Sequence, residues 1–146
     1  MFSIQTNSPT TANSSRSNTE LFSFMISGTS YSPSKAFIEF ARDFFESLAK
    51  NDYGAALGGL DARGKQWNRQ KLASSIGAAT AGQRLSTCIG ITQSASPILT
   101  EIGQGVYSLQ HRLPVAGRWA KPYAVFLFTQ KLRSGYFYVT LEEICY

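Results

Sequence analysis

The fold of this chain is decided by the stretch YAVFLFTQKLRSGYFYVTLEEI, residues 123–144. Two apolar runs flank a short polar turn, which is the pattern of a β-hairpin. A hairpin with one face in water alternates apolar and polar residues. Here both registers of the first run are apolar. The sequence therefore predicts that something covers each face of this hairpin.

The length of the turn decides which residues share a face. A loop of two or four residues within LRSGY places one bulky apolar set together: Phe126, Phe128, Val139 and Leu141. A loop of three residues would instead place Val125 and Leu127 on the same face as Val139 and Leu141. We expect an even loop, because it gathers the bulkiest side chains toward the helices. The outer face then carries Tyr123, Val125, Leu127 and Tyr138.

This outer face could be covered by a second copy of the chain or by the chain's own apolar segment at residues 21–26. Four such side chains, each stabilising by about 1.5–3 kcal/mol when fully buried, form a patch that monomers rarely leave open. We expect a homodimer related by a two-fold axis. The apolar segment and a foreign partner are the alternatives.

Upstream of the hairpin the apolar spacing is helical. Ser32 and Pro33 are a typical N-cap and first helical residue, and phenylalanines then recur at three- and four-residue spacing as far as Leu48. A short second helix is predicted over residues 52–61. Asn68 can cap a third helix, whose packing residues are Leu72, Ile76 and Ala79.

From residue 84 onward apolar residues recur at every second position, which is the spacing of a β-strand. Residues 85–92 are predicted to form a strand, and residues 105–113 alternate cleanly; one register of this second run holds Tyr107, Leu109, His111 and Leu113. These elements predict an α+β fold, with three N-terminal helices packed on a curved antiparallel sheet. We expect one domain over residues 32–146, after a flexible polar tail at 1–31 that contains an apolar arm at 21–27.

Composition and charge bound the function. The chain is 43% hydrophobic and 13% aromatic, has no apolar run long enough to span a bilayer, and shows no secretory signal. Cys88 and Cys145 lack metal-ligand spacing, so we expect buried thiols in a cytoplasmic protein.

Residues 1–62 hold four bases and six acids, whereas residues 63–146 hold ten bases and three acids. This basic C-terminal part favours an acidic protein partner or a small anionic ligand; a small apolar ligand is the other possibility.

The order of elements and three phrases resemble the nuclear transport factor 2-like (cystatin-like) superfamily. The phrases are KAFIEFARDFFESLAKNDYGAALGGLD, KQWNRQKL and AVFLFTQKLRSGYFYVTLEEI, within a match that covers residues 33–146. The resemblance implies a cone-shaped fold with a pocket at its wide end and an outer sheet face that commonly forms dimers. The superfamily contains isomerases, dehydratases and hydrolases, together with binding domains such as immunity proteins that neutralise bacterial toxins. The fold alone therefore does not identify the function.

An enzyme of this kind needs a carboxylate or a His–Asp pair inside an apolar pocket. Candidates are few, since the chain has only three acids after Asp61. His111, the single histidine, could be a general base with Tyr53 or Asp61 as its partner; otherwise it is a partly buried histidine at a strand end. One histidine and scattered acids argue against a metal site, and no cofactor is expected.

Trp67, Tyr107 and Trp119 are further candidates for a pocket or an interface. Trp67 could line the pocket mouth or pack the third helix against the sheet. Trp119, in a predicted loop between Arg118 and Lys121, could stack on a base or anchor a protein interface. No nucleic-acid motif accompanies it. The sequence thus favours a non-enzymatic binding module, of immunity or small-ligand type, over a cone-pocket isomerase, lyase or hydrolase; a basic nucleic-acid-associated domain ranks third.

Overall fold

A computed structural model describes residues 33–131 and 135–146, together with the backbone of residues 23–25. Its helices are α1 (Pro33–Ala49), α2 (Tyr53–Gly58) and α3 (Arg69–Ala79). Its strands are β1 (Ser23–Met25), β2 (Ile98–Gly103), β3 (Val106–Val115), β4 (Arg118–Gln130) and β5 (Tyr136–Cys145). The predicted α+β class is confirmed. The predicted tail lies outside the described residues except where β1 falls within it.

The strands form one antiparallel sheet in the order β1-β5-β4-β3-β2. The backbone N–H of Lys131 donates to the carbonyl of Tyr136 at 2.8 Å, which leaves four residues between these two paired positions. The expected even loop is therefore confirmed. The predicted partners share a face in the ladder: Phe126 opposite Leu141 and Phe128 opposite Val139.

Helix α1 covers the inner face of this sheet with its phenylalanine stripe. The ring of Phe37 stacks on that of Phe128 with 4.1 Å between centroids, and Phe44 meets Phe126 edge-on at 5.3 Å. The stripe is buried as predicted, and the core also includes the predicted residues of α3: Phe37, Phe40, Phe44, Leu48, Leu72, Ile76 and Ala79. Edge-to-face and offset rings add to the burial of apolar area that stabilises this layer.

The start of α3 follows the predicted capping chemistry, whereas the predicted cap of α1, Ser32, lies outside the described residues. The side chain of Asn68 accepts a hydrogen bond from the N–H of Lys71 at 2.8 Å, so Asn68 caps α3 without the Glu or Gln of a capping box. Asp52 does the same for α2, through the N–H of Ala55 at 3.0 Å. Each cap satisfies a backbone donor that a helix start would leave unpaired.

The predicted strand over residues 85–92 is wrong. Only Leu85 makes a bridge, to Val115, and the chain then forms an irregular loop as far as β2. The reason is a carboxylate on α1: Glu46 accepts hydrogen bonds from the hydroxyl of Thr87 and the N–H of Cys88. These bonds satisfy donors of the loop locally, where a strand would need a neighbouring strand.

The segment at residues 21–26 does not cover the outer face where it is described. Residues 23–25 form β1, which pairs with residues 136–138 at the edge of β5. The segment therefore extends the sheet sideways, and the prediction of a covering arm is wrong for these three residues. Residues 21, 22 and 26 lie outside the described part.

Beyond β1, the edge of β5 is closed by the loop between α2 and α3. The N–H of Asp61 donates to the carbonyl of Val139 at 2.7 Å, and the Trp67 indole Nε1 donates to the carbonyl of Leu141 at 2.7 Å. Between them Gly64 approaches so closely that a Cβ there would lie 2.3 Å from Cγ2 of Thr140. An edge strand that is covered in this way offers fewer free groups to another strand.

Candidate functional site

The outer face is the face of the sheet opposite α1, and its centre is apolar. Tyr123, Val125 and Leu127, called here the apolar band, lie partly exposed along β4 while the residues between them are buried. On the neighbouring strand β3 their ladder partners are polar: Arg112, Gln110 and Ser108. At the β2 margin Ile98, opposite Gln110, is 55% exposed. A hydrophobic strip thus runs between polar strands.

Basic side chains lie at both ends of the apolar band. At one end stand the exposed side chains of Arg112, which pairs with Tyr123, and of Lys121. At the other end the Arg63 guanidinium lies 3.7 Å from the ring centroid of Tyr138, and Lys131 Nζ lies 5.0 Å from it. The predicted outer-face residue Tyr138 is therefore partly exposed beneath two cations.

Arg63 is held in this position by Asp61, with Nη2 and Oδ2 at 2.9 Å. The hydrogen bond from Arg63 to Asp61 raises the pKa of the guanidinium. Together with Tyr138 these residues line an open cleft of about 400 Å³. Asp61 thus neutralises Arg63 at this end of the outer face, whereas no acid pairs with Arg112 or Lys121 among the described residues.

His111 lies in the core, on the inner side of β3, with none of its surface exposed. Its Nδ1–H donates to the carbonyl of Arg112 at 2.8 Å, and its Nε2 accepts from Nε of Arg42 at 3.4 Å. Phe45 and Trp119 contact the imidazole edge-on, at 5.5 and 5.1 Å between centroids. Burial, followed by the charge of Arg42, lowers the pKa of His111 to about 4, so the ring is neutral near pH 7.

The structure does not bring the three catalytic candidates together. The polar contacts of His111 come from α1 and β3, whereas Asp61 is held by Arg63 and by its bond to β5. Tyr53 lies at the start of α2 under the guanidinium of Arg69, 4.7 Å from the ring centroid. A general base must reach the proton that it removes, and His111 has no exposed surface through which a substrate could be reached.

The sequence-based prediction that Trp119 lies in a loop, free to stack on a base or to anchor an interface, is wrong. It lies in β4 and is only 9% exposed, and its indole Nε1 donates to the carbonyl of Gln93 at 2.9 Å. The reason is the tight turn at Ala116 and Gly117, where φ is 54° and 76°. Two consecutive residues with positive φ form a two-residue hairpin, so β4 begins before Trp119 and points its indole inward. The Ala-Gly pair after an alternating run was the available signal.

Trp67 and Tyr107 both have packing roles. Trp67 is partly buried by its bond to β5, and it also lines a small cavity of about 160 Å³ beside Leu57 and Leu60. The placement of Trp67 at the mouth of a cone pocket stays a prediction. Tyr107 packs on the core with its ring centroid 5.4 Å from that of Phe37.

The cysteines are free thiols and partly buried. Burial, followed by the charge of Glu46, raises the pKa of Cys88 to about 12, so its thiol stays protonated and is a poor nucleophile. Across residues 33–131 and 135–146 no three His, Cys, Asp or Glu side chains form a group that could hold a metal ion. In the same part of the chain no helix has the length and apolarity needed to cross a membrane.

Comparison of the chain with protein-family models, with curated proteins and with solved structures finds no match.

Proposed function

We propose that this protein is a non-enzymatic binding module that holds an acidic protein partner on the outer face of its sheet. The observation that carries the proposal is the apolar band with basic residues at its two ends. A partly exposed strip of Tyr123, Val125 and Leu127 offers apolar area and an aromatic anchor, which is what the centre of a protein interface uses.

The charges favour an acidic partner over a second copy. In a two-fold pair with its β4 strands aligned, a basic end of one copy would meet a basic end of the other, and like charges across an interface are unfavourable. An acidic surface would instead meet Arg112 and Lys121, with which no acid pairs among the described residues. The homodimer nevertheless remains the alternative occupant, because superfamily members resembling this chain commonly pair through that face.

The resemblance to nuclear transport factor 2-like immunity proteins supports a more specific form of the proposal. In that form the protein neutralises a toxin by covering one of its surfaces. The basic face makes a toxin with an acidic contact surface the expected target, rather than a nuclease, whose phosphate-binding surface calls for an acidic inhibitor. An enzyme would need a titratable group that a substrate can reach. His111 does not meet this requirement, because none of its surface is exposed.

The proposal is tested with the variant Leu127→Glu and a matched control, Ile89→Glu. Ile89 is 80% exposed in the loop between α3 and β2, so the control adds the same charge away from the outer face. Each protein is immobilised, offered an extract of its source cells, and washed with increasing salt. We expect an acidic protein that the wild type and the control retain at low salt and that Leu127→Glu loses. Its affinity, measured with the purified partner by calorimetry, should fall with ionic strength.

Two outcomes would contradict the proposal. In one, the same proteins are retained by all three forms. In the other, light scattering across a concentration series shows a dimeric wild type and a monomeric Leu127→Glu, which would assign the face to a second copy.

A further inference from the structure

A second cleft lies at the end of the sheet, where the β3–β4 turn meets the loop before β2. Its volume is about 450 Å³ and it is open to solvent; its walls are Gln93, Ser94, Arg112, Ala116, Gly117, Arg118 and Trp119. This volume is within the range of small-molecule sites in proteins. The wall contains two arginines and no acid.

Neither arginine side chain in this cleft has a partner among the described residues. Arg112 uses only its carbonyl, which accepts from His111, and both side chains are exposed. This differs from the cleft at the other end of the outer face, where Arg63 is paired with Asp61 at 2.9 Å. Arg112 and Arg118 therefore both line one open space, and no acid among the described residues pairs with either side chain.

The two walls of the cleft are held in place by hydrogen bonds. The N–H of Gly117 donates to the hydroxyl of Ser86 at 3.0 Å, which fixes the turn that carries Arg118. The indole of Trp119 donates to the carbonyl of Gln93, which fixes the facing loop. A site whose walls are already ordered loses less entropy when a ligand binds.

We propose that this cleft binds a small divalent oxyanion, as a phosphate monoester or diphosphate group presents. A guanidinium offers a planar fork of donors that matches phosphate oxygens in pairs. Two such forks carry two positive charges, which a doubly charged phosphate group balances and a single carboxylate does not. The side-chain amide of Gln93 and the hydroxyl of Ser94 supply further donors on the facing wall. The cleft shares Arg112 with the basic end of the outer face, whereas Arg118, Gln93 and Ser94 lie outside the apolar band.

The probe is inorganic pyrophosphate, titrated into the full chain and followed by the indole N–H resonances of the two tryptophans. Trp119 lines the cleft, whereas Trp67 is bonded to β5 elsewhere and serves as an internal reference. We expect the Trp119 signal to move to saturation while the Trp67 signal stays in place. Calorimetry on the same samples gives the dissociation constant, and acetate, which carries one charge, should give no saturable shift.

Two variants of equal charge change decide whether the arginines form the site. Arg118→Gln should raise the dissociation constant for pyrophosphate at least about tenfold, because it removes a charge-assisted donor pair. Lys71→Gln, on α3 and outside the cleft, should change it by no more than about twofold, since only the net charge differs. Leu127→Glu should leave pyrophosphate binding intact, which separates this site from the outer-face proposal.

The inference is overturned by any of three results: no saturable movement of Trp119, equal movement of both tryptophans, or equal weakening by Arg118→Gln and Lys71→Gln. Because Arg118 is exposed, its replacement is not expected to unfold the protein, and a thermal melt of the variant without ligand confirms this directly.

Discussion

Phe126 and Leu127 are neighbours on β4, and they show how differently the two faces of one sheet are used. Phe126 has none of its surface exposed and contacts three phenylalanines of α1. Leu127 points the other way, between Ser108 and Thr140, and remains partly exposed. The two residues have similar hydrophobicity. What separates them is that α1 covers only one face, which leaves the other partly exposed.

The largest effect should come from the inner face. Phe44→Ala removes a buried ring that packs on Phe126 at 5.3 Å between centroids, and we expect the free energy of unfolding to fall by about 3–5 kcal/mol. The matched outer-face change, Leu127→Ala, should cost about 1 kcal/mol or less, since Leu127 already contacts water. Urea denaturation of both variants measures the difference. Equal losses would show that the outer face is as well covered as the inner one.

The second prediction concerns the only histidine of the inner face. The folded-state pKa of His111 is lowered to about 4 from 6.5, so the unfolded chain takes up a proton first as the pH falls. Its contribution to stability is complete above pH 6.5 and is lost as the pH falls toward 4. The loss should reach about 3 kcal/mol.

The control for this prediction is His111→Gln, which does not titrate. The advantage of the wild type over this variant in urea melts should shrink steadily between those two pH values. A constant difference across the range would mean that the imidazole takes up its proton at the same pH in the folded and unfolded chains, despite the nearby guanidinium of Arg42.

A smaller effect is expected where the outer face meets the edge of β5. In Gly64→Ala the new Cβ would lie 2.3 Å from Cγ2 of Thr140, and the resulting strain should cost about 1–3 kcal/mol. The double variant with Thr140→Ser removes that methyl group but keeps Cβ of residue 140 at 2.7 Å from the new atom, so it should recover only part of the loss. Thermal melts of the four proteins form a double-mutant cycle. Additive losses would show that the contact is not the cause.

The smallest effect is a gain in stability at the β3–β4 turn. Ala116 has a φ of 54°, a conformation that asparagine tolerates better than alanine. Ala116→Asn should therefore stabilise the protein by about 0.5–1 kcal/mol, without changing the burial of Trp119. Denaturant midpoints measure the gain, and a loss of stability would indicate that this turn is not under strain.

Much of the architecture follows from local sequence patterns. Phenylalanine spacing predicted α1 and its buried side, Asn68 predicted the start of α3, and the LRSGY turn predicted the register of β4 and β5. These features depend on residues close in the chain, where spacing and capping chemistry act directly. The apolar band of the outer face could be identified in the same way, because alternation assigns it once the turn length is known.

Other features were decided only by contacts between distant parts of the chain. The carboxylate of Glu46 keeps residues 87 and 88 out of a strand, and the loop that carries Gly64 closes the edge of β5. Arg63 stacks on Tyr138, and Arg112 and Arg118 come to line one cleft. None of these pairings leaves a periodic signal, because each depends on where a side chain ends after helices and sheet have packed. The sequence by itself determined the layers and the register of the hairpin, whereas the tertiary structure decided which charges are compensated and which remain open to a partner.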